Sequence, residues 1–180
     1  MWIVNAVAAL AAGCAFITQP AGEFRFFPDN LTAAEISLAG ALTGGPGDAE
    51  DGLTRLFDLV RVRVAKPGPG GAWEDPAPLV NASVARMMIP GAAKVYMESR
   101  SKPDGANTKL YFITGGAQTP TDGYLFWSGG AWNLIVARVH GAGRAPDGST
   151  AAGAAWEIIP RAPALLRKDA PGYVWITYRP

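Results

Sequence analysis

The chain has 180 residues, of which 17% are charged and 49% hydrophobic, and its formal net charge is +1. This composition excludes a disordered chain, and without a basic patch or stripe we expect no nucleic-acid partner. The single cysteine, Cys14, excludes an intramolecular disulfide and a cysteine-rich zinc site. With one histidine and one cysteine we expect no transition metal, and without a P-loop or Rossmann fingerprint we expect no cofactor. Residues 23–180 are long enough to bury a core as one domain.

Residues 1–22 carry no charge and form a separate, mostly apolar N-terminal segment. The favoured interpretation is a buried packing or assembly segment. A second is export or lipid anchoring, since Leu10–Cys14 resembles a lipoprotein cleavage box, although no basic region precedes it. A third is insertion into a membrane or a partner, but the run is marginal for the about 20 apolar residues of a transmembrane helix. A membrane partner is therefore not expected.

The first elements of the domain are short. Phe24–Phe27 is predicted as an aromatic strand that ends before a proline. Thr32 and Glu35 form a capping-box pattern, which predicts one short helix continuing to about Leu42. The acidic run Asp48–Asp51 lacks the spacing of a calcium-binding loop and is predicted as a solvated turn.

A clean alternation marks the segment Leu59–Val64, in which valines alternate with Arg61 and Arg63. This pattern predicts a half-buried strand with both arginines on the side opposite the valines. Arg61 and Arg63 are candidate contacts for an anion or a partner, and a solvated sheet face is the favoured alternative. Later strands are predicted from apolar runs between turn residues, at Leu79–Ile89 (bounded by Pro78 and Pro90), Lys94–Arg100, Thr108–Thr114, Ala155–Ile159 and Tyr173–Tyr178.

The segment Tyr124–His140 is the clearest local pattern in the chain. Two runs of aromatic and β-branched residues flank Ser128–Ala131, in which Gly129 and Gly130 supply the positive φ angles of a tight turn. The pattern predicts a β-hairpin. With roughly eight to ten short strands and no long helical pattern, the chain is predicted to be all-β, an antiparallel sandwich or jelly roll with one short helix near its N-terminus.

Both faces of the predicted hairpin are apolar, since Tyr124 and Phe126 share one face and Leu125 and Trp127 share the other. Exposed aromatic residues on a sheet contact sugar rings or partner proteins, whereas buried ones form the core. We favour the core for these residues, and keep Tyr124, Trp127 and Trp132 as candidate contacts for a partner or a glycan.

No catalytic constellation accompanies these strands. The single histidine, His140, ends a strand beside a glycine-rich loop, and no nucleophile or orienting partner can be assigned to it. Two carboxylates suffice for glycoside hydrolysis, and Glu98 and Glu157 are the strand-borne candidates, but nothing in the sequence pairs them. The chain is therefore predicted not to be an enzyme.

The hairpin Tyr124–Trp132 is similar to aromatic–Gly–Trp hairpins of bacteriophage and gene-transfer-agent tail, fibre and spike proteins. The resemblance covers about a tenth of the chain and implies a structural subunit located in the virion. The expected partners are copies of the chain itself or other virion proteins. The alternative is a carbohydrate-binding β-sandwich module of a fibre or surface protein, located on a bacterial cell surface or exported, with a glycan as its partner.

Overall fold

The computed structural model describes residues 24–42, 44–66, 72–115, 120–143, 155–170 and 174–180. The elements over these residues are short strands and three α-helices. In chain order they are β1 (Phe24–Asn30), α1 (Ala33–Ala39), α2 (Ala49–Leu59), β2 (Val60–Val64), β3 (Ala77–Pro78), α3 (Ala82–Arg100), a 3-10 turn (Gly105–Asn107), β4 (Thr108–Thr114), β5 (Thr121–Ser128), β6 (Ala131–Val139), β7 (Ala142–Gly143), β8 (Trp156–Pro160), β9 (Leu165–Leu166) and β10 (Val174–Tyr178).

The strands form two antiparallel sheets. The large sheet has the order β1-β4-β5-β6-β10-β9, with β7 paired to β6, and the small sheet has the order β3-β2-β8. Neither sheet closes into a barrel over the described strands. The coarse prediction of a mostly β, antiparallel fold is therefore confirmed.

The predicted hairpin is present as β5 and β6. Ser128 pairs with Ala131, so the turn between the strands contains only Gly129 and Gly130. Their φ angles are 56° and 72°, the left-handed conformation that both central residues of a type I′ turn require. Glycine adopts this conformation without steric cost, which is why the turn could be predicted from the sequence.

The strands predicted at Leu79–Ile89 and Lys94–Arg100 are wrong, because most of both segments lies in the 19-residue helix α3. Pro90, which we used as a strand boundary, lies inside this helix and removes one backbone hydrogen bond from it. The buried residues of α3 follow the spacing of three and four residues that is typical of a helix, and they are Met88, Ile89, Ala92, Ala93, Val95, Tyr96 and Ser99.

The acidic loop predicted at Asp48–Asp51 is also wrong, because Asp48 caps helix α2. The Asp48 carboxylate Oδ1 accepts a hydrogen bond from the Asp51 N–H at 2.9 Å. The capping box of α1 is present, with Thr32 Oγ1 accepting from the Glu35 N–H and Glu35 Oε2 accepting from the Thr32 N–H. Helix α1 ends at Ala39, before the predicted Leu42.

Helices α2 and α3 pack on one face of the large sheet, which we call the inner face. The Phe57 ring of α2 lies 5.7 Å, edge to face, from the Phe112 ring, and Tyr96 of α3 lies 5.1 Å from Trp132. Helix α1 lies on the opposite, outer face, where Glu35 contacts Lys109 of β4. The core therefore lies mainly between the large sheet and the two longer helices.

The N-terminal segment 1–22, predicted as a separate assembly or anchoring unit, lies outside the described residues. Among the residues that the structure does describe, no helix is both long enough and apolar enough to cross a membrane.

Candidate functional site

The structure separates the candidate contact residues instead of bringing them together. Trp127 and Trp132 lie on the inner face, both buried, with ring centroids 5.7 Å apart. Trp132 packs beneath Tyr96 of α3. Neither tryptophan is accessible to a glycan or a partner, so their assignment as contacts is corrected to the core role.

Arg61 and Arg63 lie on β2 of the small sheet, with their side chains half-buried. The Nε and Nη2 groups of Arg63 donate to Glu157 Oε2 at 2.8 and 2.6 Å, and its guanidinium lies 4.8 Å from the Trp73 ring centroid. These contacts occupy Arg63 within the chain. Glu157 is thereby ion-paired with Arg63 on the small sheet.

Tyr124 lies on the outer face of the large sheet, in a row that crosses five adjacent strands. The register aligns Phe27, Tyr111, Tyr124, Ile135 and Trp175 in this row. The Tyr111 and Tyr124 ring centroids are 5.1 Å apart, and both side chains are partly exposed. The far end of the row, at Ile135 and Trp175, is buried.

A second row lies beside the aromatic one and contains three charged residues and one isoleucine: Arg25, Ile113, Asp122 and Arg138. Asp122 is only 1% exposed, and its Oδ2 accepts hydrogen bonds from the Tyr111 hydroxyl at 2.8 Å and from Arg138 Nε at 2.6 Å. Arg138 Nη2 also pairs with Asp122, and the Arg138 side chain is 43% exposed. We call Arg25, Tyr111, Asp122, Tyr124 and Arg138 the outer-face patch.

Two side chains of the outer-face patch, Arg138 and Tyr111, have raised pKa values. The hydrogen bond to Asp122, followed by the one to Tyr111, raises the pKa of Arg138 above its ordinary value. Burial, assisted by the hydrogen bond to Asp122, raises the pKa of Tyr111. At neutral pH the arginine is therefore charged and the tyrosine neutral. Because the only carboxylate of the patch is buried, its accessible charge is positive.

A groove of about 610 Å³ lies near the hairpin turn, between α1 and β9. Its lining contains no carboxylate and consists of Leu38, Ala39, Gly40, Ser128, Gly129, Ala131, Asn133, Pro163, Leu165, Leu166, Arg167, Thr177 and Arg179. The buried Asn133 side chain donates to Ser128 Oγ and accepts from the Trp175 indole and Thr177 Oγ1. The Asn133 amide is thus satisfied within the chain and acts as a structural support.

Strand β9 forms the rim of this groove and is the last strand of the large sheet. Leu165 and Leu166 are 66% and 43% exposed, although both are large apolar residues. The Arg167 N–H donates to the Trp175 carbonyl at 2.8 Å. Because N–H directions alternate along an antiparallel ladder, the Leu166 N–H points away from β10, toward the side on which no described strand pairs with β9; we call this side the open edge.

The residues predicted as catalytic candidates lie on different elements: His140 just after β6, Glu98 on α3 and Glu157 on β8. His140 is exposed just beyond β6 with a φ angle of 49°, and its backbone N–H donates to Thr121 Oγ1. Glu98 lies on α3, 3.9 Å from Lys94, and not on a strand as predicted. Within the described ranges, no group of three or more His, Cys, Asp or Glu residues could hold a metal ion.

Sequence reasoning missed two features of these surfaces. Nothing in the sequence marks Asp122 as part of a site, although it stands two residues before Tyr124 and shares its face of β5. The two-residue strand β9 was too short to be recognised, and the adjacent Leu165 and Leu166 were the only signal for it.

Comparison with protein-family models, curated proteins and solved structures finds no match to this chain, so its function must be argued from the two surfaces described above.

Proposed function

We propose that the chain is a non-enzymatic structural subunit of a virus, phage or phage-like particle, located in the virion and acting by protein–protein assembly. The observation that carries this proposal is the open edge of β9, where Leu165 and Leu166 are exposed beside a groove. The occupant that we propose for this edge is a strand from a second copy of the chain.

The chemistry of an edge strand supports this proposal. An edge with unpaired N–H and C=O groups is a template for another strand, and proteins that avoid such pairing place charges or proline there. Strand β9 is short and is followed by Arg167 and Lys168, which limit pairing to its two residues, but both of these are exposed leucines and the Leu166 N–H is directed away from β10. Fully burying an exposed leucine contributes about 1.5–3 kcal/mol. Leu165 and Leu166 are 66% and 43% exposed and point to opposite faces of β9, so strand addition gains part of this value from each.

The particle class is supported by the hairpin Tyr124–Trp132 and by the low charge of the chain. The proposal includes a sandwich arrangement of the two sheets, because Val62 and Ile158 of the small sheet belong to the same core cluster as Leu134 and Ile176 of the large one. The jelly-roll connectivity stays a prediction.

The experiment that tests assembly is sedimentation velocity of the purified full chain over rising concentration. We expect oligomers in the wild type and a monomer in the double variant Leu165→Glu/Leu166→Glu. The matched control is Met87→Glu/Met97→Glu, which places the same two negative charges at exposed apolar residues of α3. A wild type that stays monomeric at every concentration, or equal effects of both variants, would overturn the proposed edge.

A second candidate function is carbohydrate binding, as an exported or cell-surface module. The specific observation in its favour is the outer-face patch, which combines partly exposed tyrosine rings with a fixed arginine. The outer-face patch differs from the contact residues predicted from the hairpin sequence, because it shares only Tyr124 with them.

A further inference from the structure

We propose that the outer-face patch binds a carboxylate-bearing sugar of an acidic glycan, an inference that rests on carbohydrate binding, the second candidate function. The patch offers a stacking surface and a cationic anchor on neighbouring rows of one sheet face. The two rows are formed by the same strands, so both parts are held by the ladder and not by loops.

The stacking surface consists of Tyr111 and Tyr124. Tyrosine combines an apolar ring with a polar hydroxyl, which suits a sugar with its C–H face and its hydroxyl rim. The Tyr124 ring is held by Tyr111 at 5.1 Å and by the Lys109 ammonium at 4.3 Å from its centroid. Because the ring is already fixed, binding costs little further side-chain entropy.

The anchor is Arg138. Its Nε and Nη2 groups are held by Asp122 and the Tyr111 hydroxyl, which orients the guanidinium plane. The remaining nitrogen, Nη1, donates to no residue that the structure describes, and it stands on a side chain that is 43% exposed. A guanidinium with fixed geometry and free N–H groups is suited to bind a carboxylate.

The charges of the patch favour an acidic sugar over a neutral one. Asp122 offers little to a neutral sugar, because its side chain is 1% exposed: Oδ2 accepts from Tyr111 and Arg138, and Oδ1, which has no partner among the described residues, is buried. The accessible charged groups are Arg138 and the exposed Arg25, which is aligned in the same row. Arg25 and the free Nη1 of Arg138 favour an anionic ligand on this side of the tyrosine row, whereas the exposed Asp29, 3.7 Å from Lys109, lies in the row on its other side.

The test is calorimetric titration of the full chain with an oligogalacturonide, with its methyl ester as the uncharged match and with inorganic sulfate as the simple anion. We expect the oligogalacturonide to bind. The methyl ester should bind at least about tenfold more weakly, because it has lost the charge-assisted hydrogen bonds. Arg25→Gln and Tyr124→Leu should each weaken binding. Arg86→Gln, which changes an exposed arginine of α3, should leave it unchanged.

Each of the other outcomes has a definite meaning. Equal binding of the acid and its methyl ester would overturn the acidic specificity while leaving carbohydrate binding in place. If neither the acid nor the ester bound, both the acidic specificity and carbohydrate binding would be overturned. Sulfate binding as tight as the oligosaccharide, or equal losses in Arg25→Gln and Arg86→Gln, would overturn the sugar site in favour of nonspecific charge attraction. Circular dichroism of each variant shows that a loss of binding is not a loss of folding.

Discussion

Glu35 of α1 and Lys109 of β4 form an ion pair that is almost completely buried, with side chains only 4% and 5% exposed. Both carboxylate oxygens accept from the Lys109 ammonium, at 3.0 and 2.8 Å, and Oε2 also accepts from the Thr32 N–H. One carboxylate therefore begins helix α1 and fastens it to the outer face of the sheet.

Removing one partner of this pair should be strongly destabilising. Glu35→Gln keeps an oxygen for the Thr32 N–H but leaves the ammonium of Lys109 buried without its partner, since Asp29 is exposed and 3.7 Å away. We expect a loss of about 3–5 kcal/mol in the free energy of unfolding, measured by urea denaturation.

The exposed pair between Asp51 and Arg55 of α2 is the matched control. Asp51→Asn should cost no more than about 0.5 kcal/mol, because solvent screens a surface pair. The double variant Glu35→Leu/Lys109→Met should be more stable than Glu35→Gln alone, since it removes both charges. If Glu35→Gln lowered the free energy of unfolding as little as Asp51→Asn does, the buried pair would not stabilise the fold as described.

Gly52 of α2 allows Trp132 to lie directly against the helix. A Cβ atom at this position would be 2.3 Å from the indole Nε1 of Trp132, a fully buried side chain. Alanine normally stabilises a helix interior relative to glycine by about 1 kcal/mol, but here we expect Gly52→Ala to destabilise the protein by about 1–3 kcal/mol through overpacking.

Urea denaturation with tryptophan fluorescence measures this effect of Gly52→Ala. The control is Gly45→Ala, where a Cβ atom meets nothing within 4 Å, and where we expect a change within about 0.5 kcal/mol. A stabilising Gly52→Ala would show that Trp132 does not need this close approach.

The stability should decrease in alkaline solution because of buried tyrosines. Burial raises the pKa of Tyr96, whose hydroxyl oxygen accepts from the Trp127 N–H at 2.8 Å and from Arg100 Nη1 at 3.1 Å. A folded-state pKa above the unfolded value of about 10 means that this stability is fully present below pH 10 and is lost as the pH rises through the folded pKa.

The variant Tyr96→Phe tests this linkage. At neutral pH it should lose about 1–3 kcal/mol, because the buried Trp127 N–H is left without an acceptor. Its stability should then decrease less steeply than that of the wild type above about pH 10. The slopes come from urea midpoints at a series of pH values. Parallel slopes would assign the alkaline loss to other groups, among them Tyr111, whose pKa is also raised.

The parts of the fold that could be predicted from the sequence are those decided by local chemistry. Gly129-Gly130 determines a tight turn by its φ angles, and Thr32 with Glu35 determines a helix start. Helix α3 could not be recognised in this way, because Pro90 is a local breaker that tertiary packing overrides. The propensity cost is outweighed by burying one face of α3 against the sheet.

The candidate site was less predictable than the fold. Alternation placed Tyr124 and Trp127 on opposite faces of β5 correctly, but the sequence does not show which face the helices cover. Once α3 occupies the inner face, Trp127 is buried and Tyr124 stays partly exposed. The neighbours of Tyr124, Asp122 and Arg138, become one cluster only through the register of β5 with β6.

The central claim, assembly by strand addition at β9, is tested most directly by hydrogen exchange at the Leu166 backbone amide. The Leu166 N–H points toward the open edge, so it should exchange rapidly in dilute solution and become protected at concentrations where the chain associates. The Arg167 N–H, already bonded to Trp175, serves as the internal reference. Association without protection of the Leu166 amide would contradict the account.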